Sequence, residues 1–229
     1  MQRTHHAGPR NKSGVTSRRI GAASLLILLA ACGRSERPFP PRAEIDRPSV
    51  RETARCHADL RAQGVKFRVL PDKATGQGCG LYGTVQLLDI GVPVTGITAM
   101  RCGNARAFAG WVRNAVVPAA YQGMGSELVR VTGMGTYACR NVVGSSRGGD
   151  RRSGHAIANA VDVAAFTLRD GRQVSIARDW ASEDAAVRGF LQTIRRSACR
   201  RFGTVLSPDY NAAHRDHLHL EDDGADFCR

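Results

Sequence analysis

The chain has 229 residues, with 33 Lys and Arg against 20 Asp and Glu and a formal net charge of +13. Such a basic balance favours anionic partners, or serves plain solubility, but no recognised nucleic-acid-binding motif accompanies it. Nucleic acid is therefore excluded as the expected partner.

The N-terminus reads as an export leader. Arg3, Arg10, Lys12, Arg18 and Arg19 form a basic start with no acidic residue, and Ile20 to Ala31 form a 12-residue apolar run, too short to span a bilayer as a helix. Leu29-Ala30-Ala31-Cys32 matches the bacterial lipobox, so residues 1–32 are expected to be a lipoprotein signal peptide. Cys32 would then be the acylated first residue of a mature chain anchored to a cell-envelope membrane, on the periplasmic side. An ordinary signal followed by an incidental cysteine is the alternative. Loss of the leader takes the 33 Lys and Arg to 28 against 20 acids, a charge of +8.

Residues 33–51 are rich in Pro and Arg, lack apolar periodicity and read as an extended tether. From Glu52 onward roughly 175 residues remain, enough for one domain with a core. Glu52 to Ala62 reads as a helix stopped by Gly64, and Val65 to Val69 alternates like a strand. Short strand signals broken by glycines fill residues 81–98. Phe108, Trp111, Val112, Ala115 and Val116 then mark one stripe of a helix over Ala105–Val117, which Pro118 should end.

Leu128 to Val131 reads as a strand leading toward Arg140, and Gly144 to Gly154 as a loop, either a flap over a site or a solvated excursion. Arg169-Asp170-Gly171 is a hairpin turn between Phe166 and Val174. Ser182, Glu183 and Asp184 open a helix whose buried stripe is Val187, Phe190, Leu191 and Ile194, and Thr204 to Leu206 is a further strand.

Cys56, Cys79, Cys102, Cys139, Cys199 and Cys228 are an even set in an exported chain and should pair as three disulfides. Sequence cannot choose the connectivity; pairing in sequence order, Cys56 with Cys79, Cys102 with Cys139 and Cys199 with Cys228, is the expectation. A cysteine-ligated zinc site is disfavoured because no Cys-x2-Cys pair occurs.

Chemistry concentrates in two C-terminal segments, Ser153 to Asp162 and His214-Arg-Asp-His-Leu-His219, which hold four of the five histidines beyond the leader; the fifth is His57. On a strand His217 and His219 would face the same side. His155 and Asp162 are seven apart, an odd offset that would put them on opposite faces of one strand. Ala158-Asn159-Ala160 therefore suggests a turn after His155, with a strand running through Asp162 to Phe166. Pairing of that strand with the one carrying His217 and His219 would gather two imidazole nitrogens and a carboxylate around a point with a fourth position open, a set that suits zinc. A solvated strand end without a ligand is the alternative for the second segment alone; the two together favour a metal.

The order His-x6-Asp followed by His-x-His resembles the zinc proteins of the lysostaphin, D-Ala-D-Ala peptidase and hedgehog group, and the second segment resembles that of penicillin-insensitive murein endopeptidases. Across roughly Cys56 to Cys228 the chain most resembles the bacterial extensin-like C-terminal domain family. Arg101-Cys102-Gly103, Tyr137-Ala138-Cys139-Arg140, Ser153 to Asp162, Phe202 to Leu206, Tyr210 to His214 and Phe227-Cys228-Arg229 carry that likeness. The resemblance implies His155, Asp162 and His219 as zinc ligands, His217 as general base, His214 as a supporting group, and Arg140 as a substrate-orienting arginine. Against the family pattern, Ile157 stands in place of Thr and Ala158 in place of Gly; a turn that needs positive φ would strain Ala158.

The expected fold is a single α+β domain, with a small antiparallel sheet that carries a zinc site, flanking helices and disulfide staples. The expected activity is zinc-dependent hydrolysis of peptide amide bonds in peptidoglycan. A zinc-stabilised wall-binding lipoprotein without turnover is the reading kept beside it.

Overall fold

A computed structural model describes Ile45, residues 47–143 and residues 151–229. The leader with Cys32, most of the tether, and residues 144–150 of the glycine-rich loop lie outside the described residues.

Helix α1, Val50–Ala62, starts two residues before the expected Glu52 because Ser49 and Glu52 form a capping box: Glu52 N–H donates to Ser49 Oγ at 3.2 Å and Ser49 N–H to the Glu52 carboxylate at 2.7 Å. Six short strands follow: β1 Lys66–Val69, β2 Lys73–Gly76, β3 Cys79–Leu81, β4 Thr84–Asp89, β5 Val94–Thr95 and β6 Met100–Arg101.

Helix α2, Cys102–Trp111, runs into a π-helical stretch, Val112–Val116, and then into α3, Val117–Met124. The expectation that Pro118 ends the helix is therefore corrected. Proline lacks the N–H that an α-helical ladder requires. The chain widens into the π turn, in which Val117 N–H reaches Val112 O, and Pro118 falls in the first turn of α3, where its N–H is not needed. Gly125, at φ 65° in the left-handed region, closes α3.

Strands β7 Leu128–Gly135, β8 Ala160–Leu168 and β9 Gln173–Ser175 come next, then α4 Ile176–Asp179 and α5 Ala185–Cys199. Asp184 rather than Ser182 caps α5, its Oδ1 accepting from Ala186 N–H at 2.8 Å. Strands β10 Thr204–Leu206, β11 Leu218–Glu221 and β12 Phe227–Cys228 complete the chain.

Among the described residues the largest sheet runs β12-β10-β11-β8-β7-β5, with β9 also paired to β8. It is antiparallel at its centre, but β12 joins β10 and β5 joins β7 in parallel, so the sheet is larger and more mixed than expected. The remaining strands form β1-β4-β6 and the β2-β3 hairpin.

One face of the large sheet is apolar. Val161, Val163, Phe166 and Leu168 of β8 all enter the core although their parity changes between Val163 and Phe166. Register explains this: Thr132 pairs with Ala165 and Gly133 with Val163, so Ala164 is an extra residue on β8 that resets the alternation. Leu218 and Leu220 of β11 extend the same face. Against it lie the fully buried Phe108 and Trp111 of α2 and Leu191 and Ile194 of α5. Trp111 Nε1–H donates to Ile194 O at 3.0 Å, and Phe166 meets Trp111 and Phe190 edge-on.

The three disulfides are Cys56–Cys102, Cys79–Cys139 and Cys199–Cys228, with Cα separations of 6.1, 5.6 and 5.6 Å. The expected pairs Cys56–Cys79 and Cys102–Cys139 are thus corrected; only Cys199–Cys228 follows sequence order. Tertiary packing decides: α1 lies against α2, which brings Cys56 to Cys102, and the β2-β3 hairpin reaches the segment before Arg140, where Thr75 Oγ1 and Tyr137 Oη lie 2.6 Å apart.

Candidate metal centre

The sheet face opposite the helices carries the polar residues. In β11, Leu218 and Leu220 point to the core, so period-two alternation turns His219 and Glu221 to the other side. Asp162 stands between Val161 and Val163 on β8 and turns the same way. The antiparallel register sets His219 opposite Asp162.

His155 arrives from outside the sheet. Ser153 caps a single 3₁₀ turn, Gly154–Ile157, its Oγ accepting from His155 N–H at 3.3 Å. The turn closes through Ala158, which adopts φ 54° and ψ 27°, the left-handed conformation normally left to glycine. That geometry lets Asn159 N–H bond Gly154 O at 2.9 Å and Arg101 N–H bond Ala158 O at 2.8 Å, and the next residues enter β8.

Three ligand atoms converge. His155 Nε2 lies 3.1 Å from Asp162 Oδ2 and 3.2 Å from His219 Nδ1, and His219 Nδ1 lies 2.8 Å from Asp162 Oδ1. His155 is 2% and His219 5% exposed, so solvent screens little of their interaction with the carboxylate. Burial pushes Asp162 upward, but the contacts with His155 and His219 outweigh it and hold the carboxyl well below its usual range. Burial likewise works against charge on His219, yet Asp162 on one nitrogen and Glu221 on the other raise it to about 9. Both shifts express one interaction: a charged His219 ring set between the carboxylates of Asp162 and Glu221.

His217 and His214 stand beside this cluster. His217 Nε2 is 3.5 Å from Asp162 Oδ1, and its Nδ1 is 2.9 Å from Asp216 Oδ1. The His217 contact, stronger than the burial that opposes it, lowers Asp216. His214 ends a short 3₁₀ turn capped by Asn211, whose Oδ1 accepts from Ala213 N–H at 3.0 Å and sits 2.8 Å from His214 Nδ1. Burial, helped by His219 and His217, depresses His214 to about 4, so it is a neutral imidazole near pH 7.

The donors form two overlapping groups able to hold a metal ion: His155, Asp162 and His219, and His214, His217 and His219. Only the first contains a carboxylate, which supplies the charge compensation a divalent cation needs.

Arg140 reaches the same place by a different route. Its carbonyl accepts from Ser153 N–H at 3.2 Å, Ala138 N–H donates to His155 O at 3.1 Å, and Cys139 is tied to Cys79. Arg140 lines a cleft of about 470 Å³ with His214, His217, His219, Glu221 and Arg151. Tyr210 and Phe227, in edge contact at 5.7 Å between ring centroids, form an apolar wall of that cleft. A second cavity, about 450 Å³, is lined by Glu52, Arg55, Arg106 and Asp222 and by no histidine.

Sequence reading named His155, Asp162, His217, His219, His214 and Arg140, and the fold brings all six to this cleft or its floor. It missed Asp216, Asn211 and Glu221, each of which engages a ring nitrogen. A signal existed for Glu221: two residues beyond His219 on a strand means the same face.

No helix among the described residues is long and apolar enough to cross a membrane. The chain matches no curated protein and no solved structure. The family described as extensin-like protein C-terminus matches residues 54–229, a span that contains the whole cleft and all six paired cysteines. The chain belongs to the extensin-like C-terminus family.

Proposed function

We propose that the protein is a zinc-dependent hydrolase of peptide amide bonds in peptidoglycan, held at the cell envelope through lipid on Cys32. The observation that carries this reading is the convergence of His155 Nε2, Asp162 and His219 Nδ1 within 3.2 Å of one another beside an independently oriented imidazole, His217.

The donor set fits the ion. Ligands about 2.0–2.1 Å from a tetrahedral zinc stand roughly 3.3 Å apart, close to the separations here. Two imidazoles and one carboxylate leave a fourth position, as catalytic zinc sites require. Zinc bound there supplies Lewis-acid polarisation of a carbonyl and acidifies a coordinated water to a pKa of about 7.

The chain's own residues supply the rest. Asp216 accepts a hydrogen bond from His217 Nδ1–H, which leaves Nε2 as acceptor at the mouth of the ligand group; His217 removes a proton from water and returns it to the leaving amine. His214, oriented by Asn211 through Nδ1 and neutral near pH 7, presents its other nitrogen to the cleft. Arg140 engages a substrate carboxylate or the developing oxyanion. The likeness of His-x6-Asp and His-x-His to lysostaphin-type and murein endopeptidase motifs supports the substrate class, as does the basic charge facing an anionic wall.

Incubation of the purified full-length protein with muropeptides, with and without a zinc chelator, tests the reading. New chelator-sensitive products are expected. Retention on sacculi without products would instead favour the wall-binding lipoprotein and overturn hydrolysis.

A further inference from the structure

Glu221 has no part in the two ligand groups, yet it holds the ring nitrogen of His219 that the group with His155 and Asp162 leaves over. Its Oε1 lies 2.7 Å from His219 Nε2, while Nδ1 of the same ring faces Asp162 at 2.8 Å and His155 at 3.2 Å. An imidazole that binds a metal must present a lone pair on one nitrogen, and the partner on the other nitrogen selects which one. Glu221 accepts from Nε2–H, so with an ion bound Nδ1 would be the nitrogen that sheds its proton and offers a lone pair at the point it shares with Asp162 and His155.

Room for this carboxylate comes from the loop that carries His155. A Cβ at Gly154 would lie 2.5 Å from Glu221 Cδ and 2.6 and 2.7 Å from its two oxygens. Gly154 has no positive φ, so space alone requires glycine here. One segment thus provides a ligand, His155, and one residue earlier the gap that admits the group orienting a second ligand, His219.

We propose that Glu221 is a positioning residue of the metal centre, locking His219 in the tautomer whose Nδ1 faces Asp162 and His155, and that Gly154 is glycine in order to seat the Glu221 carboxylate. The proposal rests on the reading that the ion is held by His155, Asp162 and His219. Glu221 lies across the ring from the ligand atoms and acts through its hydrogen bond to His219.

Zinc affinity of the full-length protein, measured by competition with a chromophoric chelator, tests this. Glu221→Ala should weaken zinc binding by about 10–100-fold. Glu221→Gln, whose amide oxygen still accepts from Nε2–H, should recover part of that loss and keeps the test open if the alanine variant folds poorly. Gly154→Ala should weaken binding like Glu221→Ala, but in the Glu221→Ala background it should cost little more, because the clash it creates is with the missing carboxylate. The cobalt-substituted variants should show shifted visible bands while the far-ultraviolet circular dichroism of the metal-free proteins stays that of wild type. Wild-type zinc affinity in Glu221→Ala, or fully additive losses in the double variant, would overturn the positioning role while leaving the metal site standing. A wild-type protein that takes up no zinc would overturn both.

Discussion

Asp162 and His219 face each other across neighbouring antiparallel strands, and Asp162 Oδ1 lies 2.8 Å from His219 Nδ1. This pairing joins the two sequence segments that hold the site's donors. The apolar residues flanking each partner, Val161 and Val163 on β8 and Leu218 and Leu220 on β11, are buried on the far side of the sheet. A slip of one residue would therefore bury the charged pair and expose the core face.

Asp216 orients His217 without touching the ligand group. Asp216→Asn should keep zinc binding at wild-type level, because the three ligands are untouched, and lower kcat by about 10²–10⁴-fold through loss of the preferred tautomer of the base. Parallel metal titration and turnover assays check this.

Ala158 occupies a left-handed conformation that costs an L-residue about 1–2 kcal/mol, against which glycine's greater chain entropy costs roughly 0.5–1 kcal/mol. Ala158→Gly should therefore leave the fold equally or slightly more stable, by up to about 1 kcal/mol. Ala158→Val should destabilise it, since β-branching aggravates the same strain. Thermal melts of the metal-free proteins compare the three.

Asp170 is held down to about 2 by the Arg172 side chain, with further help from Arg172 N–H at 3.0 Å. Its unfolded value is near 3.8. A carboxyl depressed in the folded state adds stability that is fully present above the unfolded value and is lost as pH falls through the folded one. Wild type should melt slightly above Asp170→Asn at pH 6, and the gap should shrink below pH 4 and close only below pH 2.

The Cys79–Cys139 bond ties the β2-β3 hairpin to the segment that carries Arg140. Replacing both residues with serine should cost about 2–5 kcal/mol and should raise KM and weaken zinc binding together, because the freed segment supports Arg140 and, through Ala138 N–H to His155 O, the turn that carries His155. Non-reducing peptide mapping should recover Cys79 with Cys139 and Cys56 with Cys102; fragments joining Cys56 to Cys79 would contradict the fold.

Period-two alternation was legible wherever one strand face is apolar, which is why the strands of Asp162 and His219 and the turn after His155 could be read from spacing. The same is true of the Phe166–Val174 hairpin. Disulfide pairing was not legible, because it depends on which elements pack together, and nothing in the chain near Cys56 announces that α1 lies on α2. Pro118 misled because a π turn can absorb a proline that an uninterrupted α-helix cannot. Spacing places Glu221 on the face of His219, but its contact with the far nitrogen of that ring and the gap Gly154 leaves for it exist only in the fold. Asp216 sits inside the second segment, yet only its 2.9 Å contact with His217 gives it a role.

Metal content of the full-length protein and two variants tests the central claim most directly. One zinc per chain is expected in wild type and in His217→Ala, the latter without turnover, while His219→Ala should retain none. An empty wild type, or equal zinc and equal activity in both variants, would contradict the account.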